Sequence, residues 1–193
     1  MASAAAHRSS GLAIGVISAA IVSTTATDHT YLLVVLTCLA GFAGGTAPDW
    51  LENAWWSRRP GKQLWIAHRT WTHWGIAWIA LLVVAHANLK DSLIAAPLFG
   101  FAAGGLMHLI ADWPNPLGVP WLLTKRYSLH WWRSGRCDCL ITSSIWTAAT
   151  VVADITWWQR ALCTHLIAAI SPPFSLLPPS HVGLLRQLFY PFT

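Results

Sequence analysis

Apolar residues run along this chain in five blocks, at 11–27, 31–47, 74–88, 93–111 and 140–158. A helix that spans a bilayer needs about 20 mostly apolar residues, so the shorter blocks must borrow flanking Trp, Thr or Ser. A sixth run at 162–177 is broken by Pro172 and Pro173 and is a weaker candidate. Helices are the expected element, because backbone groups in lipid need partners within their own segment. The alternation over about ten residues that marks a membrane β-barrel is missing. The pattern predicts an all-α polytopic membrane bundle of about five transmembrane helices over residues 1–160, with a Pro-rich, partly apolar extension over 161–193. Arg8, the apolar stretch after it and the small residues at 24–26 have the outline of a secretory signal. The next block follows within a few residues, as in a helical hairpin, so a retained first helix is expected.

Composition supports this reading. Of 193 residues, 55% are hydrophobic and 10% charged, whereas soluble domains run nearer a quarter charged. A soluble fold could not hide that much apolar surface, and the same numbers exclude disorder. With four Cys in a chain of this length, a disulfide-stapled miniprotein is excluded too.

The net charge of +5 is unevenly spread. With five crossings, Arg8, Arg58, Arg59, Lys62, Arg69, Lys125, Arg126, Arg133 and Arg136 share one side, against Lys90, Arg160 and Arg186 on the other. Nine against three, with the tail placed on the far side, predicts a cytoplasmic N-terminus; the expected location is the cell (inner) membrane. The Trp clusters (Trp50, Trp55, Trp56, Trp65, Trp71 and Trp74, then Trp113, Trp121, Trp131 and Trp132) suit interfacial anchoring. The basic loops suit topology and lipid phosphates, and no nucleic-acid module is present.

Against this charge-poor background the acids and histidines are informative. Asp49 and Glu52 follow the second block, His68 and His73 precede the third, and His108 and Asp112 end the fourth. His7 is expected just ahead of the first helix. On the predicted topology all seven lie at one membrane level. His108 and Asp112, four apart, project from one helix face, a spacing that suits two ligands of one ion. Asp49 and Glu52, three apart, share a face if the second helix continues or a new turn begins there. Imidazole with carboxylate suits zinc, with manganese or iron as alternatives. Ionisable groups near a bilayer are expensive and commonly functional, although a single His at a helix end is more often a satisfied boundary residue. Asp138 heads the fifth block, where it suits either the helix dipole or the site. Cys137 and Cys139 lack partners at zinc-ribbon spacing, and Cys38 and Cys163 read as packing residues. His130 reads as an interfacial anchor. The glycines at 41, 44 and 45 and at 100, 104 and 105 predict close packing of the second and fourth helices.

The order of His7, Pro48-Asp49, His68-Arg69-x-x-Thr72-His73 and His108-x-x-x-Asp112-x-x-x-Pro116, with the Asn115 to Pro120 run, resembles the YdjM-like family of predicted membrane-bound metal-dependent hydrolases. The resemblance covers residues 5–140, and the order of ligands is more distantly similar to that of zinc-dependent phospholipase C. Leu51, Trp74 and Asn115 stand where that family usually carries Asp, Ser and Thr. The resemblance implies functional roles for His7, Asp49, His68, Arg69, Thr72, His73, His108 and Asp112. His7, Asp49, His68, His73, His108 and Asp112 are then the candidate ligands. Glu52 is a candidate bridging ligand or base, Arg69 a phosphate-binding group, and Thr72 a supporting one. The expected activity is hydrolysis of a phosphoester or lipid-linked substrate with a divalent metal. A non-catalytic lipid- or metal-binding module and a metal or proton transporter stay open, as does a homo-oligomer. A transporter would place its ligands near the bilayer midplane, and these lie at helix ends.

Overall fold

The computed structural model describes residues 2–25, 30–53, 70–122, 125–131, 135–158 and 161. The chain divides into a unit Met1–Thr156 and a unit Trp157–Thr193. The fold described below is that of the first unit; the sixth apolar run and nearly all of the Pro-rich extension lie outside the described residues.

The first helix, α1 (Ala4–Thr25), opens well before its apolar block. Ser3 explains the early start: its Oγ accepts the Ala6 N–H at 3.1 Å and its carbonyl accepts the His7 N–H at 3.0 Å. A capped run of alanines is strongly helix-forming. His7 therefore lies one turn inside α1, not ahead of it as the hydropathy pattern suggested. Helix α2 (Thr30–Gly44) ends at the Gly45-Thr46 turn, and the single-turn helix α3 (Ala47–Trp50) follows. Pro48 sits in that first turn, where a missing N–H does no harm.

A 3₁₀ turn (Trp71–His73) leads into α4 (Gly75–Ala87). The first N–H groups of α4 are taken by the loop beyond the next helix: Gly75 donates to the Pro120 carbonyl at 3.0 Å and Ile76 to that of Trp121 at 2.9 Å. Within that loop, Val119 and Tyr127 exchange both backbone hydrogen bonds at 2.9 Å, and Gly118, at φ 63°, closes the turn from Asn115 just before them. Helices α5 (Ala95–Asp112) and α6 (Asp138–Ala153) complete the set, and α6 runs on as a π turn (Asp154–Trp158).

Among the described residues three helices are long and apolar enough to cross a membrane: Ala4–Thr25, Ala95–Asp112 and Asp138–Trp158. Helices α2 and α4 are apolar but only 15 and 13 residues long. At about 1.5 Å per residue they fall short of a hydrocarbon core of about 30 Å. All-helical architecture is thus established among the described residues, with three candidate spans and two shorter apolar helices where the sequence pattern led to about five crossings.

Helix α5 is central, packed by α1, α2 and α4, while α6 lies on α1. Glycine makes the α1, α2 and α5 contacts possible. A Cβ on Gly41 would fall 2.4 Å from Gly15 Cα, and one on Gly104 only 2.2 Å from the Gly41 carbonyl oxygen. The close packing expected of the two glycine stripes is therefore present. Near this end of the bundle, Ala47, Trp78, Leu109 and Val119 form an apolar cluster that Trp113 and Trp121 join. Those two indoles are partly buried against the cluster and meet edge to face at 5.1 Å. Trp50, Trp71 and Trp131 are exposed, as a belt requires.

Candidate metal centre

The polar residues come from four helix ends. His7 is supplied by the start of α1, and Asp49 by α3. His73 comes from the 3₁₀ turn before α4, and His108 and Asp112 from the end of α5. His7, His73, His108 and Asp112 are fully buried, as is Glu52. The carboxylate of Asp49 is more open, at 29%.

Two triads overlap at His108: His7 with His108 and Asp112, and Asp49 with His73 and His108. His7 Nε2 lies 3.4 Å from Asp112 Oδ1, while His73 Nε2 and His108 Nε2 stand 3.6 and 3.7 Å from the same Asp49 Oδ1. The last two separations exceed ordinary hydrogen bonds. Donor atoms sharing one small divalent ion, each bonded at about 2.0–2.1 Å in a tetrahedron, stand about 3.3–3.4 Å apart. The rings reinforce the cluster: His7 stacks on His108 with centroids 3.7 Å apart, and His73 meets His108 edge on at 5.2 Å.

Tautomers follow from the hydrogen bonds. His108 Nδ1 lies 2.9 Å from the Gly45 carbonyl. A carbonyl can only accept, so Nδ1 carries the proton and Nε2 turns a lone pair toward Asp49. His73 Nδ1 lies 3.0 Å from Glu52 Oε1 in the same way, which aims Nε2 at Asp49. Thr72 Oγ1 donates to that same Glu52 oxygen at 2.7 Å, and Trp78 Nε1 donates to the Thr72 carbonyl at 2.7 Å. Imidazoles whose far nitrogen is held by a carbonyl or a carboxylate are characteristic of metal ligands. At the centre, His7 Nε2, His108 Nε2 and Asp49 Oδ1 are buried atoms without a hydrogen-bond partner among the described residues. Buried polar atoms of that kind are rare, and a cation among them satisfies all three.

The electrostatics agree. Burial raises the Asp49 carboxyl, but the imidazoles of His73, His108 and His7 facing it outweigh that and bring it down to about 2. Burial lowers His73, yet Asp49 and Glu52 on its two sides lift it above its ordinary value.

Of the residues expected from sequence, the structure brings together His7, Asp49, Glu52, Thr72, His73, His108 and Asp112. His68 and Arg69 lie outside the described residues. His130 is exposed in the loop with φ 53°. Sequence reasoning missed the Gly45 carbonyl that orients His108 and the Trp78 indole that fixes Thr72. The first is a backbone group, whose only trace in the sequence is the paired glycine that lets α5 approach.

Comparison with curated proteins and with solved structures gives no match. A family model does match, that of the YdjM inner membrane protein, over residues 1–176. That is most of the chain, its apolar helices suit a membrane, and it belongs to the YdjM inner membrane protein family.

Proposed function

We propose that this protein is a membrane-embedded, metal-dependent hydrolase acting on a phosphoester or other lipid-linked substrate at the cytoplasmic interface. The observation that carries the reading is the set of inward-facing atoms His7 Nε2, His108 Nε2 and Asp49 Oδ1, buried and lacking hydrogen-bond partners among the described residues. His7, Asp49, His73, His108 and Asp112 would hold the ion, with His68 a further ligand by its place in the motif. Zinc suits this mix of imidazole and carboxylate best, ahead of manganese and iron. When bound, a divalent ion supplies Lewis acidity at the scissile group.

The protein's own residues do the rest. Glu52 and Thr72 orient His73, because Glu52 Oε1 is already engaged with both Thr72 Oγ1 and His73 Nδ1. Asp49 is the more exposed member of the set, so substrate reaches the centre from its side. The Arg69 guanidinium is the group suited to grip a phosphate through paired hydrogen bonds. A centre at helix ends lies at headgroup level, which favours a phospholipid or another lipid-linked phosphoester. The excess of Lys and Arg predicted on that side favours the cytoplasmic face.

Elemental analysis of the purified protein in detergent, together with turnover of a labelled phospholipid and of a simple phosphodiester, tests the proposal. Stoichiometric metal, lost in His108→Ala and Asp112→Ala along with turnover, is expected. Metal content unchanged by these substitutions overturns it. Metal without turnover leaves a non-catalytic binding module, and metal uptake into proteoliposomes a transporter.

A further inference from the structure

The residues ahead of α1 hold two aspartates on two different helices. The Ala2 N–H donates to Asp112 Oδ1 at 2.9 Å, and the next amide, that of Ser3, donates to Asp138 Oδ2 at 3.0 Å. Ser3 also caps α1 and so sets the position of His7, one turn on. Beneath this strap Ala2, Ala6 and Ala111 form a small buried apolar cluster, with Ile141 of α6 packed against it. One short segment thus touches both members of the His7–Asp112 pair, which stand 3.4 Å apart, and its far anchor is Asp138.

We infer that Asp138 is a positioning residue for the metal centre, acting through the strap of residues 2–3; the inference rests on the metal-binding reading above. Asp138 makes no contact with the ligand atoms among the hydrogen bonds and ion pairs described. By accepting the Ser3 N–H it fixes the peptide that follows Ala2. The Ala2 N–H is thereby held on Asp112 Oδ1, the oxygen that faces His7. A carboxylate steadied by a donor keeps its other lone pairs aimed at the ion, and losing such outer partners commonly weakens metal binding about 10- to 100-fold. The bond to Ser3 is solvent-exposed, so the effect belongs at the lower end of that range. Loss of Asp138 does not undock α6, because Trp146 Nε1 donates to Ser9 Oγ at 2.9 Å and Ile141 packs below the strap.

The experiment measures Zn²⁺ affinity of the full chain in detergent by competition with a chromophoric chelator, alongside thermal unfolding of the metal-free protein. Asp138→Ala is expected to weaken Zn²⁺ binding about tenfold with little change in unfolding temperature. Asp138→Asn, whose amide oxygen still accepts the Ser3 N–H, is expected to recover most of it. Thr142→Val removes the hydrogen bond from Thr142 Oγ1 to the Asp138 carbonyl at 2.7 Å and is expected to leave affinity alone. Parental affinity in Asp138→Ala overturns the positioning role, as do equal losses in the Ala and Asn variants. If the parent protein binds no Zn²⁺, the metal reading falls and this role with it. If the parent binds Zn²⁺ and loses it in Asp112→Ala, while Asp138→Ala binds as the parent does, only the role of Asp138 is in error.

Discussion

Replacing Gly104 by Ala tests whether the closeness of α2 and α5 is what assembles the centre. The added Cβ would stand 2.2 Å from the Gly41 carbonyl oxygen, 2.7 Å from Gly45 N and 2.9 Å from the Gly44 carbonyl carbon. All three are backbone atoms, so no side chain can swing aside. Restoring a normal contact of about 3.5 Å requires the helices to part by roughly 1 Å. Overpacking of this kind destabilises by about 1–3 kcal/mol. The same displacement reaches the site, because Gly104 is one turn before His108 and the Gly45 carbonyl accepts from His108 Nδ1 at 2.9 Å. A parting of roughly 1 Å carries that bond past the useful limit and frees the imidazole to rotate. Denaturant unfolding in detergent should show the destabilisation, and chelator competition should show metal affinity reduced at least about tenfold. Ile110→Ala, on the same helix at a partly exposed position, serves as the control and should leave affinity unchanged. Parental stability and affinity in Gly104→Ala refutes the reasoning. Lost stability with intact affinity refutes its second half, since the contact would then support the fold without shaping the centre.

Three further outcomes are expected. In the metal-free protein, Asp49 and Glu52 raise His73 above its ordinary 6.5 against the opposing effect of burial. Its contribution to stability is therefore fully present below about pH 6.5 and is lost as pH rises through the folded-state value. An ion competes with that proton for Nε2, so metal affinity should climb across the same window, as equilibrium dialysis at stepped pH would record; a flat profile counts against His73 as a ligand. Glu52→Gln removes one of the two charges that raise His73, so the climb should move to lower pH while affinity at high pH falls about tenfold; an unshifted profile would show that Glu52 does not act on His73. Gly118→Ala should destabilise the loop by about 1–2 kcal/mol, because φ is 63° and the new Cβ would fall 2.6 Å from the Tyr127 carbonyl oxygen. Limited proteolysis of the 113–131 segment reads that effect, and unchanged cleavage would exclude it.

The candidate centre was legible in sequence to the extent that its geometry is local. His108 and Asp112 share a helix face by spacing alone, and both lie in the cluster. Asp49 in α3 and Glu52 just beyond it do face one partner, His73. Spacing could not say that they take opposite nitrogens of the same imidazole, because that division depends on where the 3₁₀ turn seats the ring against α3. His7 was misplaced for a different reason. Hydropathy marks where apolar residues begin, whereas a helix begins where its first amides are capped, and Ser3 caps α1 ahead of the apolar block. The packing of Trp113 and Trp121 against one another was equally out of reach, because it depends on the backbone exchange between Val119 and Tyr127 that shapes their loop. What escaped the sequence is therefore of one kind. The Gly45 carbonyl, the Ala2 and Ser3 amides and the loop carbonyls on α4 are backbone groups, available at every position and given a role only by the packing. The side chains of such a centre can be picked out one helix end at a time. Their orientation is a property of the close glycine contacts, which makes Gly104 as much a determinant of the metal geometry as the ligands themselves.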